Sequence, residues 1–351
     1  MSFTRIWQSG AEMQHVNELE ELASSTYGGA STFTISSTKA KTGTYSFRGE
    51  SASYPRGKAV STTQIRAGVF VNHTSVGGAS SLFKAILFLV TTSGGVADAY
   101  VIWNGATGDL ELYVGGSMVD SINVATAGFD TTNTWYHLGF TYKADASSGF
   151  VSLYRDGAQI LNWTGNTGTA ITGVYFHGDK GSSGGWANYA YWDDFYVDSA
   201  SAEADAAPPS NRLMWQAVSG AGASAAWTAS GAGSNYQCVD DGVPNDDTDY
   251  VLASSSGLVD YYATGDITLP TGYSVVALIP CAWAKKTDAG TGSQLKLGSR
   301  LSGTDSTGSA QSLPTTYGPV MERQTTKPGG GSWSETDVNN SQVKIESAGA
   351  F

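Results

Sequence analysis

The chain has few charged residues and no long apolar run. Charged residues make up 14% of its 351 residues, and the formal net charge is −12. No run of Lys or Arg exceeds a pair, which argues against a nucleic-acid-binding surface, because phosphate recognition needs clustered cations. The most apolar run, residues 85–90, is far too short to span a bilayer and predicts a buried strand.

Cysteine and histidine are also scarce. Cys238 and Cys281 leave two alternatives open, either one disulfide within the second half of the chain or two reduced thiols that pack as small apolar side chains. The four histidines do not pair at ligand spacing, so we expect no metal site and no cofactor. The first 25 residues contain several glutamates and no apolar stretch, so we expect no signal peptide.

Glycine is abundant, with 44 residues, and short alternating segments fill the chain between glycine-rich turns. Residues 135–143, 149–155 and 191–198 alternate between apolar and polar side chains, as half-buried strands do. Asp156-Gly157 predicts a tight hairpin, because both turn positions need positive φ. About ten such strands precede residue 200, which predicts a two-sheet sandwich.

The order of these segments resembles the concanavalin A-like, laminin G-like jelly roll. In that family a Trp-Tyr-His strand precedes a Tyr-x-Asp-Gly hairpin, and an Asp-Asp-x-x-Val strand closes the domain; here these are residues 135–137, 154–157 and 193–197. The resemblance implies an N-terminal jelly roll over residues 1–200. It leaves function open, because the same fold serves lectins, glycosidases and virus shells.

A small, polar segment with two prolines, residues 199–210, predicts an exposed connector, with the linker proper at 201–210. Residues 211–351 then show further short strands, which predict a smaller C-terminal β-sandwich. The fold class is therefore all-β. Pro280 lies within the long apolar run 273–285, where we expect a bulge or a sheet edge.

Several segments of the second half resemble a virion module of tailed bacteriophages. They are residues 236–241, 247–251, 259–262, 282–286 and 328–334. The resemblance implies a non-enzymatic structural protein of the head or tail, with one domain attached to the particle and the other projecting. It also implies other capsid or tail proteins as partners, a homo-oligomer, no membrane insertion, and assembly in the host cytoplasm.

Several aromatic side chains are candidate binding residues, although aromatic residues alone are not a specific signal of binding. Such rings stack on sugar faces, but they also fill cores and protein interfaces. A carbohydrate-binding module that contacts host glycans is the first alternative function. These candidate residues lie in or beside glycine-rich loops: Trp163, Trp186, Tyr189 and Tyr191.

Carboxylates give a second alternative, a polysaccharide hydrolase or lyase. Asp109 and Glu111 share one face of a predicted strand, but the third acid of the jelly-roll glycosidases is missing. Asp193 and Asp194 are adjacent, so we expect them on opposite faces of a strand. The acidic segment 240–249 predicts either a solvated turn or a calcium site of irregular spacing.

Overall fold

The computed structural model describes residues 4–12, 20–21, 33–49, 55–74, 84–93, 99–179, 190–200, 205–287 and 289–351. The chain divides into two compact units, Met1–Leu213 and Met214–Phe351. Both units are built almost entirely of antiparallel strands, which confirms the all-β prediction. Within the described residues, no helix is long and apolar enough to cross a membrane.

The N-terminal unit is a sandwich of two sheets. Its strands are β1 Thr4–Ser9, β2 Glu20–Glu21, β3 Phe33–Ser36, β4 Ser46–Gly49, β5 Arg56–Thr62, β6 Gln64–His73, β7 Lys84–Ser93, β8 Ala99–Asn104, β9 Asp109–Val114, β10 Ser117–Asn123, β11 Trp135–Lys143, β12 Gly149–Arg155, β13 Ala158–Gly165, β14 Ala170–Asp179 and β15 Ala190–Ala200. Sheet A has the order β13-β12-β11-β6-β15-β4-β3, and β1 pairs with β15. Sheet B has the order β10-β9-β8-β7-β14-β5-β2.

The inner faces of the two sheets meet in an aromatic core. Phe88 of sheet B stacks on Phe140 of sheet A at 5.3 Å between ring centroids. Phe176 of sheet B packs between Trp192 and Phe195 of β15. Because side chains alternate along a strand, the neighbours of these core residues lie on the outer faces of the sheets.

The predicted hairpin between β12 and β13 is confirmed. Asp156 and Gly157 have φ values of 48° and 87°, the positive values that a two-residue turn of this kind requires. A Cβ atom on Gly157 would meet nothing within 4 Å. The backbone conformation, and not the available space, therefore selects glycine there.

The C-terminal unit contains β16 Val218–Ala225, β17 Thr228–Ser230, β18 Tyr250–Leu252, β19 Val259–Thr264, β20 Cys281–Ala284, β21 Ser293–Leu301, β22 Thr304–Thr307, β23 Gln311–Ser312, β24 Gly318–Met321 and β25 Gln342–Gly349, with a 3₁₀ helix at Asn235–Cys238 and α1 at Glu335–Asn339. Its main sheet has the order β16-β19-β25-β21-β22, and β23 pairs with β21. Two short pairs, β17-β18 and β20-β24, accompany it.

Two expectations about the second unit need correction or completion. The sequence pattern at residues 236–239 predicts one of the short strands of this half, but the backbone at Asn235–Cys238 is a 3₁₀ helix. The Asn235 amide donates to the Trp227 carbonyl and to Asp260. The run around Pro280 forms a strand only from Cys281 onward. Cys238 and Cys281 are not joined in a disulfide, which leaves the second alternative, two reduced thiols.

Residues 205–213, here called the boundary segment, include the described part of the predicted linker, since residues 201–204 lie outside the described residues. The boundary segment belongs to the N-terminal unit, and Pro208 is buried. Pro208 packs over Gly139 of β11, and the Tyr196 hydroxyl donates to the Pro209 carbonyl. The predicted connector thus lies against the outer face of sheet A at Pro208, whereas Pro209 and Ser210 are exposed.

Candidate functional site

The outer face of sheet B carries a carboxylate held by two neutral donors. Glu111 Oε1 accepts a hydrogen bond of 2.7 Å from the Asn104 amide, and Glu111 Oε2 accepts one of 2.8 Å from the Tyr113 hydroxyl. Asn104 ends β8, and Glu111 and Tyr113 lie two residues apart on β9, so alternation places both on one face. Both oxygens of Glu111 therefore act as acceptors.

Aromatic rings surround this carboxylate. Tyr100 and Tyr113 stack with centroids 4.9 Å apart and an interplanar angle of 10°. Tyr100 also clusters with Leu89, Ile102 and Tyr175 on the outer face. We call Asn104, Glu111, Tyr113, Tyr100 and Tyr175 the Glu111 face. It combines ring surface with a fixed acceptor, as saccharide-binding surfaces do.

The Glu111 face is buried at its centre and opens toward the edge strand β10. Tyr100 and Glu111 are buried, Tyr113 is half-buried, and Met118, which pairs with Tyr113 across the strands, is 55% exposed. Burial, together with the bond to Glu111, raises the pKa of Tyr113 to about 12. Its hydroxyl therefore keeps its proton at neutral pH and donates to Glu111.

Asp109 is the second acid that the sequence placed on this strand. It accepts a 3.2 Å hydrogen bond from the Asn123 amide at the start of β9. Asp109 and Glu111 thus share a face, as the alternation predicts, but each is bonded to its own amide partner. Within the described residues, no group of three or more His, Cys, Asp and Glu side chains could hold a metal ion.

Two of the four predicted binding residues fall within the described structure. Trp163 lies on the edge strand β13, half-buried, opposite the core residue Val151. Tyr191 lies on β15 and is buried, with the Lys39 ammonium 5.7 Å from its ring centroid. The two do not converge on one site, because they belong to opposite sides of sheet A. Trp186 and Tyr189 lie outside the described residues.

Asp193 and Asp194 differ from their predicted placement on opposite faces. The pairing of β15 with β6 shifts register after Asp193, and Asp194 has φ of 52°. Because of this bulge, both carboxylates reach the loop at residues 41–42: Asp193 accepts from the Lys41 and Thr42 backbone, and Asp194 accepts from the Thr42 hydroxyl. Burial raises the pKa of both, that of Asp194 to about 7.

Glu12 and the boundary segment meet the same region. Glu12 Oε1 accepts hydrogen bonds from the Thr44 and Tyr45 backbone amides, and burial raises its pKa. The Leu213 amide donates to Asp194 at 2.9 Å. These carboxylates therefore hold the loop at residues 41–45, the last strand and the end of the unit together.

The outer face of sheet A binds the Asp205 carboxylate with four neutral donors. Asp205 Oδ1 accepts from the Thr141 hydroxyl at 2.5 Å and the Tyr154 hydroxyl at 2.9 Å. Asp205 Oδ2 accepts from the Ser152 hydroxyl at 2.5 Å and the Gln159 amide at 3.1 Å. We call this arrangement the Asp205 site; no signal in the sequence pointed to it.

In the C-terminal unit, the acidic segment 240–249 bonds to β20 and to the residues before β24. The Trp283 indole donates to Asp246 at 3.0 Å, and Lys285 pairs with Asp247 at 2.8 Å. The Tyr317 hydroxyl donates to Asp247, and the Lys285 ammonium lies 4.3 Å from the Tyr317 ring centroid. Two segments behind the phage resemblance, 247–251 and 282–286, are therefore in direct contact.

Comparison with known proteins gives fold neighbours only. No protein-family model and no curated protein matches the chain. Similar solved structures include the ligand-binding domain of botulinum neurotoxin serotype D with N-acetylneuraminic acid (TM-score 0.38, 11% identity, 57% of this chain and 48% of that one). The binding domain of Paraclostridial mosquitocidal protein 1 is similar at TM-score 0.38 and 12% identity, over 57% and 50% of the two chains.

A polysaccharide lyase is also among the similar structures. This alginate lyase of polysaccharide lyase family 7 has TM-score 0.33 and 11% identity, over 50% of this chain and 85% of that one. The chain spans about half of the length of the two toxin domains. Since all three TM-scores are below 0.5, they carry no argument about function, and the virion role stays a prediction.

Proposed function

We propose that the protein binds saccharides without cleaving them, and that the Glu111 face of the jelly roll is the binding surface. The observation that carries this proposal is the Glu111 carboxylate, fixed by Asn104 and Tyr113 beside the stacked Tyr100 and Tyr113 rings. A sugar ring presents an apolar face for stacking and hydroxyl donors around its edge. A ligand would reach this face at its open side, along the half-buried Tyr113 ring and beside the exposed Met118.

The geometry of Glu111 favours binding over acid–base catalysis. A general acid must present a proton to the bond that breaks, and glycosidases of this kind use two carboxyl groups that flank that bond. Both oxygens of Glu111 already accept hydrogen bonds, and Asp109 is bonded to Asn123. This arrangement holds the acceptors in place for a ligand hydroxyl.

The charge of the face favours a neutral saccharide. Within the described part of the chain, Glu111 accepts hydrogen bonds from uncharged side chains, so an anionic sugar beside it would meet a carboxylate that no cation balances. We therefore expect neutral hexose polymers or oligosaccharides as ligands of this face.

A glycan array with the full chain tests the proposal, followed by calorimetry with the best neutral ligand. Tyr113→Ala removes ring and hydroxyl and should weaken binding by about tenfold or more, whereas Tyr113→Phe keeps the ring and should lose less. Tyr273→Ala removes an exposed ring of the other unit and is the matched control. No binding to any glycan, or equal affinity of all variants, would contradict the proposal.

A hydrolysis assay tests the non-catalytic part. Release of reducing ends or of unsaturated products from the bound polymer, lost in Glu111→Gln, would show that the face is an active site.

The place on a tailed-phage particle that the C-terminal resemblance implies is compatible with saccharide binding. Co-sedimentation of the full chain with purified particles, against a no-particle control, tests that placement.

A further inference from the structure

We infer that the Asp205 site is a second ligand site, specific for a carboxylate on a saccharide, which the chain's own Asp205 occupies. It lies on sheet A, whereas the Glu111 face lies on sheet B. It offers hydrogen-bond donors to a carboxylate, whereas the Glu111 face offers an acceptor to hydroxyl groups. Four donors on three neighbouring strands converge on one carboxylate. The inference does not rest on the proposed function, because the two sites share no residue.

The donors are held in place by the sheet and not by Asp205. Thr141 and Ser152 pair directly across β11 and β12, and their strand neighbours Tyr142 and Val151 are fully buried core residues. Thr141 and Ser152 are themselves 2% and 1% exposed. Gln159 additionally donates to the Ser152 hydroxyl at 3.0 Å, which orients both groups. Such preorganised donors lose little conformational freedom when a ligand binds.

The site recognises a carboxylate with neutral groups. Three hydroxyls and one amide contribute the four donors, and within the described part of the chain no Lys or Arg forms an ion pair with Asp205. An ionised carboxylate accepts several hydrogen bonds at two oxygens, which matches this set. Because no ion pair holds Asp205, another carboxylate can replace it with the same four bonds.

One side of the site is open toward the sheet edge. Gln159 and Asn162 on β13 are exposed, and the Asn162 amide donates to Gln159 at 3.2 Å. A ligand whose carboxylate replaced Asp205 would place its neighbouring atoms beside these two amides. Amides bond to ring hydroxyls, so uronate or sialate sugars fit better than a simple organic acid.

Asp205 therefore competes with a ligand carboxylate for the four donors. It lies in the boundary segment, whose other contacts include the packing of Pro208 on Gly139, the Tyr196 bond to Pro209 and the Leu213 bond to Asp194. A carboxylate ligand would displace Asp205 and loosen the first residues of this segment. Binding can then be measured in two ways, as an affinity and as a loosening of the boundary segment.

Chemical rescue of Asp205→Ala tests the site. The variant leaves four donors without their carboxylate, so sodium acetate should raise its melting temperature, while the wild type should not respond. Sodium chloride at equal ionic strength is the salt control. Adding Ser152→Ala should remove most of the rescue. Rescue by chloride as well as by acetate, or no rescue of a folded Asp205→Ala protein, would overturn the inference.

Saccharide ligands identify the source of the carboxylate. A galacturonate oligosaccharide and N-acetylneuraminate are compared with a neutral glucose oligosaccharide, and we expect at least one acidic sugar to bind Asp205→Ala tenfold or more tightly than the wild type. If Asp205→Ala does not fold, amide hydrogen exchange of the wild-type protein, measured with and without each acidic sugar, tests the site instead. Faster exchange in residues 205–213 with either acidic sugar supports the site; unchanged exchange with both overturns it. Tyr113 variants should leave these results unchanged.

Discussion

Gly139 and Pro208 are in a contact that no larger side chain at position 139 allows. A Cβ atom on Gly139 would lie 2.7 Å from Pro208 Cδ and 2.9 Å from Pro208 Cγ. Strand β11 of sheet A therefore has a glycine where the boundary segment crosses it. This close approach explains why Pro208 is buried despite its position in a polar, small-residue segment.

Gly139→Ala should displace the boundary segment. Overpacking of this kind costs about 1–3 kcal/mol, and the movable partner is the segment and not the sheet. We expect faster trypsin cleavage after Arg212 together with a lower melting temperature. Gly220→Ala on β16 is the control, because its Cβ would meet only Ala263 at 3.9 Å. Equal cleavage rates for Gly139→Ala and wild type would contradict this assignment.

Asp194→Asn should flatten the dependence of stability on pH. The folded protein holds the pKa of Asp194 at about 7, against an ordinary value of 3.8, chiefly through burial. Between about pH 4 and pH 7 the unfolded chain has lost a proton that the folded chain keeps, so the free energy of unfolding falls as pH rises.

The asparagine variant lacks this titration and tolerates the positive φ of position 194. Urea unfolding at several pH values measures the slope. We expect a shallower slope for the variant but not a flat one, because burial also raises the pKa of Asp193 and Glu12. An unchanged slope would show that Asp194 is already ionised in the folded protein below pH 7.

Asp260→Ala should destabilise the C-terminal unit strongly. This fully buried carboxylate accepts from the Ala226 and Trp227 backbone amides, the Asn235 amide and the Tyr262 hydroxyl. Its removal leaves several buried donors unpaired, for a loss of about 3 kcal/mol or more. Asp266→Ala, at an exposed position two residues after β19, should change stability by less than about 0.5 kcal/mol. Guanidinium unfolding followed by fluorescence compares the two.

Gly157→Ala should destabilise the β12–β13 hairpin through the backbone alone. The φ of 87° is unfavourable for alanine, and nothing lies near its Cβ, so we expect a loss of about 1 kcal/mol. Gly157→Asn should lose less, since asparagine adopts positive φ more readily. Equal losses for alanine and asparagine would indicate a cause other than φ. Thermal unfolding of the three proteins provides the measurement.

The local signals in the sequence predicted most of the N-terminal sandwich. Alternation placed Asp109 and Glu111 on one face of a strand, and Asp156-Gly157 predicted its hairpin, because both depend on neighbouring residues only. The positions of Asp193 and Asp194 were wrong because a bulge, which no local pattern marks, rotates the second carboxylate. The 3₁₀ helix at Asn235–Cys238 was missed because its bonds go to Trp227 and to Asp260, which is distant along the chain.

The candidate sites depend on pairing between distant residues. Asn104 contacts Glu111 because of the register of β8 and β9. This register follows from the short turn between the two strands, so the sequence could have predicted the contact. Asp205 meets Thr141 and Ser152 across more than 50 residues, and nothing in its small, alanine-rich surroundings distinguishes it from a solvated acid.

The position of Pro208 has a practical consequence for dissecting this protein. A recombinant fragment cut at Ala200, directly after the last strand, would leave Gly139 and the hydroxyls of Thr141 and Ser152 without their cover. A cut after Leu213 keeps that cover in place. The shortest fragment that keeps the N-terminal unit intact therefore ends in the coil after its final strand and not at the end of that strand.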